Sequence, residues 1–178
     1  MSEYALSWNK QTPRLVSGGS DHLVVLWDLA DYQSTLFQSK GKSATKWTNK
    51  STLKPRGVYR GHKDTVEDVS FHPTDNGGNI FCSVGDDRSF IVWDARTEKN
   101  IAARVDNAHK EDINCVDWNN HDPTSIVSGK YTSSEWRRAS RSTVVSISIP
   151  PPSLKPVSLS LSRSPLFLNT QTSLFLTQ

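Results

Sequence analysis

Apolar residues along this chain come in short runs with no helical stripe. "LVVLW" (Leu23–Trp27) and "FIVW" (Phe90–Trp93) are apolar at every position and sit between polar, Asp-containing turns. A surface helix would repeat its apolar positions at three and four residues, whereas runs this short read as strands covered on both faces. Up to Gly129 the chain alternates such runs with Gly, Asp, Asn and Pro punctuation, which predicts an all-β body.

The pattern also repeats. "SGGSDHLVVLWD", Ser17 to Asp28, has Ser, Gly, Asp and Trp-Asp at the same offsets as "SVGDDRSFIVWD", Ser83 to Asp94. "YRGHKDTVEDVSFHP" stands ahead of the second copy, and a third start appears as "DNAHKEDINCVDWNNHDPTSIVSG". There His109 corresponds to His62, Trp118 to Phe71 and Ser128 to Ser83. His62 and His109 are 47 residues apart, close to the roughly 40–45 residues of one four-stranded propeller blade.

The repeat decides how its polar residues are read. Ser83, His62 and an aspartate form the outline of a nucleophilic hydrolase, but the set recurs once per repeat, and no G-x-S-x-G elbow is present. The expected role is structural: Trp93 donates to Ser83, Ser83 bonds His62, and His62 donates to Asp87, so that each buried polar atom gains a partner. Ser17, Asp21 and Trp27 are the first repeat's counterparts, and His109 and Ser128 the third's. No catalytic residue is expected.

These strings resemble WD40 proteins, and more narrowly the retinoblastoma-binding or MSI-type histone-binding propellers. The likeness rests on "YALSW", "LVVLWD", "PRGVYRGHKDTVEDVSFHPT", "FCSVGDD", "VWDART" and "AHKEDINCVDWNNHDP". It implies a non-catalytic scaffold, a nuclear seven-bladed propeller that presents histone tails to histone deacetylase and Polycomb-type complexes and so regulates transcription. The expected fold is a partial propeller of two to three blades, with about four missing, and without the N-terminal helix that grips histone H4 in the family. Residues 1–32 read as a partial blade, 33–60 as a basic inter-blade insertion and entry to the next blade, 61–107 as a blade, and 108–129 as the start of a third.

The resemblance also implies sites. Tyr4, Glu67 and Asn114 each stand four positions ahead of a first-strand aromatic (Trp8, Phe71 and Trp118). Such positions form a ring around the channel of a propeller, where the family receives the histone H3 tail or a similar basic peptide, and Asp86 matches an acidic position of that surface. Glu67 and Asp86 would pair Lys or Arg, Asn114 would bond peptide amides, and Tyr4 would pack on an aliphatic stem. The plain alternative is solvated surface acids. "WDAR", Trp93 to Arg96, resembles the ending through which some WD40 proteins serve as substrate receptors on a cullin-4 ligase adaptor. There Arg96 would supply the fork, unless it merely pairs Asp94.

Charge divides the chain into unlike parts. Residues 33–60 hold seven Lys or Arg and no acid, residues 130–178 hold six against one Glu, and the remainder holds eight bases against seventeen acids. The acidic body suits cationic partners. The basic insertion, with Lys40, Lys42, Lys46, Lys50, Lys54 and Arg56 around Trp47, reads as a solvated loop, a weak nucleic-acid or acidic-partner contact across 40–56, or a nuclear-import signal. Cys82 and Cys115 lack metal-ligand spacing, which predicts a reducing compartment with no metal and no cofactor. No apolar run approaches the roughly 20 residues of a membrane span.

After Gly129 glycine disappears and the chain becomes a Ser, Leu and Pro mixture. Residues 130–178 are expected to be a disordered tail, the alternative being strands such as "STVVSISI" that complete a blade. Codons for Gly129, Lys130 and Tyr131 can contain an intron start, so the tail is expected to derive from a retained intron or gene-model error, and the chain alternatively to be a non-functional truncated product.

Overall fold

The computed structural model describes residues 2–30 and 53–130, together with the backbone of three later strands. Three antiparallel sheets follow one another along the chain. The first comprises β1 (Glu3–Trp8), β2 (Arg14–Gly19), β3 (Leu23–Asp28) and β4 (Gly57–Arg60), hydrogen-bonded in that order. The second comprises β5 (Val66–Phe71), β6 (Ile80–Gly85), β7 (Phe90–Asp94) and β8 (Ile101–Val105). The third runs β9 (Cys115–Trp118), β10 (Ser125–Gly129), β11 (Val144–Ser148), β12 (Ser160–Ser164) and β13 (Gln171–Ser173).

One placement differs from the sequence expectation. Gly57–Arg60, assigned above to the entry of the second blade, pairs with β3 in the register Val24↔Tyr59 and Leu26↔Gly57 and so closes the first sheet. Its anchor is Tyr59, which is buried edge-on to Phe81 with centroids 5.1 Å apart and tilted against Trp93 at 5.7 Å. The basic insertion therefore lies between the third and fourth strands of one sheet rather than between blades, and residues 31–52 within it, including Lys40, Lys42, Lys46, Trp47 and Lys50, lie outside the described residues. Of the tail, three strands are described: β11 pairs with β10, β12 with β11 and β13 with β12.

The sheets stack face to face, because each strand's inward side chains need a neighbouring sheet to leave water. Ala5, Val16, Val24 and Leu26 of the first sheet meet Val69, Phe71, Ile91 and Trp93 of the second. Cys82, Val84, Phe90 and Val92 on the second sheet's other face meet Val116, Trp118 and Ile126 of the third. The second sheet is thus covered on both sides, which is why "FIVW" has no polar position; each fully buried side chain of this size contributes about 1.5–3 kcal/mol. Approach between the first two sheets depends on Gly18, where a Cβ would lie 2.5 Å from a Val66 methyl.

Candidate functional site

The inner strands β1, β5 and β9 lie side by side, and a loop or bulge at the same end of each carries the candidate surface. In β1 the register moves from Glu3↔Gly19 to Ala5↔Gly18, so Tyr4 is the extra residue of a β-bulge. In β5 it moves from Val66↔Gly85 to Asp68↔Val84, which makes Glu67 the extra residue. A bulge ends regular pairing and re-aims its side chain. Tyr4 accordingly remains 58% exposed. Asn114 directly precedes β9, with its N–H donating to Gly129 O at 3.0 Å, and Asp86 directly follows β6, with its N–H donating to Thr65 O at 3.0 Å. All four residues therefore occur at one end of the three inner strands.

The electrostatics of this end come from acids brought together by turns. Partial burial, reinforced by the charges of Glu67, Asp112, Asp64 and Asp87, pushes the Asp86 carboxyl up to about 6. Sequence reasoning missed Asp64 and Asp112. The only signal was proximity in sequence to His62 and Asn114, since single acids in turns look like ordinary solvated residues. Such a cluster holds its negative charge at a cost, and a cation placed against it would relieve the repulsion.

The polar network of the second sheet lies beside this cluster. Trp93 Nε1–H donates to Ser83 Oγ at 2.8 Å, and Ser83 Oγ lies 2.7 Å from His62 Nε2. His62 Nδ1 is 3.0 Å from Asp87 Oδ1. An ionised carboxylate only accepts, so Nδ1 carries the proton, Nε2 accepts from the serine, and every group is satisfied. Asp87 also accepts the N–H groups of Lys63 and Ser89. Burial acts to raise its pKa, but the hydrogen bonds from His62, Lys63 and Ser89 outweigh burial and hold the carboxyl well below the usual carboxylate range. Ser83 is fully buried, whereas a nucleophile must be reached by its substrate.

The other two copies are partial. In the first sheet Trp27 Nε1–H donates to Ser17 Oγ at 3.1 Å, and Asp21 accepts Leu23 N–H as Asp87 accepts Ser89 N–H. His22 and Arg88, at equivalent places in the two turns, both adopt positive φ, 64° and 60°. In the third sheet His109 Nε2 lies 2.9 Å from Ser128 Oγ, and the position corresponding to Asp87 is Thr132, outside the described residues. Recurrence of one hydrogen-bonded turn in successive four-stranded sheets is the decisive observation. The first two sheets are WD40 repeats.

Comparison with known proteins agrees. A family model described as "WD domain, G-beta repeat" matches residues 4–28 and 53–94. WD-40 repeat-containing protein MSI4 of Arabidopsis thaliana is 46% identical over 137 residues, covering 72% of this chain and 27% of that protein. WD-40 repeat-containing protein MSI3 of the same plant is 35% identical over 117 residues, 65% of this chain and 23% of that protein. The chain thus spans about a quarter of the length of these relatives and is similar to MSI-type WD40 proteins.

Arg96 lies at the far end of the second blade. Its Nε and Nη2 donate to the two oxygens of Asp94 at 2.8 and 2.7 Å. That fork, together with the Arg96 backbone N–H, holds the Asp94 carboxyl below its ordinary range against the opposing effect of burial. Among the described residues no group of three or more His, Cys, Asp or Glu could hold a metal ion.

Proposed function

We propose that this WD40 scaffold binds the histone H3 tail, or a basic peptide like it, through Tyr4, Glu67, Asp86 and Asn114, as part of a nuclear chromatin-modifying complex that regulates transcription. The observation that carries this reading is the acid cluster at the bulged end of β5, where Asp86 is pushed up to about 6 by burial and by its acidic neighbours. A Lys or Arg entering there would supply the missing counter-charge, Asn114 lies within the same edge to bond peptide amides, and exposed Tyr4 offers a ring for an aliphatic stem. Similarity to MSI-type proteins supports the scaffold class.

The test is titration of an H3 N-terminal peptide into the chain and into Glu67→Lys. Reversing the charge is expected to weaken binding by roughly 1–3 kcal/mol. Unchanged affinity would overturn the site assignment. A cullin-4 adaptor contact through Arg96 ranks second, because the adaptor would have to compete with Asp94 for the same guanidinium fork. Arg96→Ala is expected to leave peptide binding intact; if it instead abolished capture of the adaptor by the chain, the receptor reading would move ahead.

A further inference from the structure

The turn between β5 and β6, "HPTDNGGN" (His72 to Asn79), meets the turn between β1 and β2 at the end of the sheets away from the acid cluster. Gln11 Nε2 donates to Pro73 O at 2.9 Å. The Arg14 guanidinium, only 14% exposed, donates to Gly77 O, Gly78 O and Asn79 Oδ1, while its Nε pairs Asp28 at 3.0 Å. Gly78, at a φ of 57°, lies so close to the first sheet that a Cβ there would stand 2.7 Å from Thr12 Oγ1. This turn therefore seats the second sheet on the first.

Its shape is set by Asp75, whose carboxylate accepts the N–H groups of Gly77 at 3.3 Å, of Ile80 at 2.9 Å and of Asn79. Asn76 takes no part in these contacts and is exposed. Asn76–Gly77 is also the only Asn-Gly pair in the sequence. A glycine offers its backbone nitrogen with no Cβ beside it and lets the chain adopt angles closed to other residues. The glycine is required here for packing, because a Cβ on Gly77 would collide with the Asn79 amide that Arg14 holds.

We propose that Asn76 is a deamidation site whose isoaspartyl product loosens the junction between the first two sheets. Gly77 N gives up its proton to the Asp75 carboxylate and bonds to Asn76 Cγ. The Cγ–Nδ2 bond breaks, and the amide nitrogen leaves as ammonia with that proton. Water then opens the cyclic imide. Opening at Cγ leaves an aspartate, whereas opening at the main-chain carbonyl leaves an isoaspartyl link, in which the chain runs through Cβ and Cγ and is one methylene longer. The lengthened turn no longer brings its two carbonyls and Asn79 Oδ1 to Arg14 together, and a largely buried guanidinium is left short of acceptors.

Peptide mapping of the full chain, aged in mildly alkaline buffer, tests this. The peptide containing Asn76 is expected to gain the mass of an amide-to-acid conversion and to accept a methyl group from an isoaspartyl carboxyl methyltransferase. Asn119 and Asn120, exposed in the turn after β9 but not followed by glycine, are expected to convert later. In the aged chain, amide hydrogen exchange is expected to speed up in the two turns that meet at Arg14. Aged Asn76→Ser is expected to keep the exchange of the fresh chain. Conversion at Asn76 no faster than at Asn120 would overturn the site, and conversion that leaves exchange unchanged would overturn its coupling to the junction. Asn76→Gln takes the place of the serine variant if that variant loses its far-ultraviolet β spectrum.

Discussion

The first and second blades carry the same serine, turn aspartate and tryptophan, yet only in the second are these residues shut off from water on both sides. Trp93 is 1% exposed, linked through Ser83 and His62 to Asp87, and covered by Tyr59 and Gly61 from the strand and loop before it. Trp27 makes the same bond to Ser17 but is only half-buried, with no histidine beyond the serine among the described residues. One motif therefore does two different amounts of work. A hydrogen bond to a buried hydroxyl is worth most where no water can replace it, so the energetic value of the repeat is set by its neighbours rather than by its own residues.

The largest break in this comparison should come from the two tryptophans. Trp93→Ala removes a fully buried indole between two sheets and leaves Ser83 without its donor, which is expected to destabilise by about 3–5 kcal/mol. Trp27→Ala removes a side chain that still touches water, and the expected loss is under about 2 kcal/mol. Native-state hydrogen exchange of the amides in β6 and β7, set against those in β2 and β3, measures the two losses separately. Equal losses would mean that coverage does not govern the value of the motif.

A smaller break acts on the polar chain alone. His62→Ala would strand the buried Ser83 hydroxyl and remove the cap from Asp87, an expected cost of about 2–3 kcal/mol. Ser17→Ala deletes one hydrogen bond in the blade whose serine bonds no histidine among the described residues, an expected cost of about 1 kcal/mol. The pH dependence sharpens the contrast. The Asp87 carboxyl lies below its ordinary range when folded, so its contribution is present above about pH 4 and is lost as acid carries the solution down through the folded pKa. His62→Ala should flatten that acid limb in urea titrations, and Ser17→Ala should leave it unchanged.

These blades were legible in the sequence to unequal depth, for physical reasons. Ser83, His62, Asp87 and Trp93 could be placed because a buried hydrogen-bond chain admits few residue types and fixes their offsets, and a second copy at Ser17, Asp21 and Trp27 gives the offsets away. β4 could not be placed. "GVYR" is four residues long, has no matching string in the other repeats and follows a long insertion, so only its pairing with β3 shows which sheet it closes. The strands after Gly129 were obscure because a Ser and Leu mixture has no period to read, and their pairing extends from β10. At the candidate site, spacing from the first-strand aromatic picked out Tyr4, Glu67 and Asn114, but the bulges that set Tyr4 and Glu67 apart are a property of register, and Asp64 and Asp112 join the cluster only through folding.

The smallest expected effect separates two adjacent carboxylates, Asp86 and Asp87. Asp87 is held ionised by its donors, whereas Asp86 is pushed up to about 6 by burial and by the surrounding acids. The folded chain therefore binds a proton at Asp86 more readily than the unfolded chain does, so between about pH 4 and 6 this group makes stability fall as pH rises. Its partial exposure screens much of that cost. Asp86→Asn should accordingly gain stability over wild type as pH increases from 4 to 6 and hold a constant advantage above 6, read as diverging and then parallel urea midpoints. Midpoints that stay parallel from pH 4 upward would show that the acid cluster exerts no strain on the fold. The same substitution should weaken capture of a basic peptide, because it removes a charge the peptide would neutralise, and wild-type affinity should itself decline as pH falls through about 6. A site that is costly when empty and relieved by its ligand gives these two opposite signs from one side chain; a surface acid with no role gives neither.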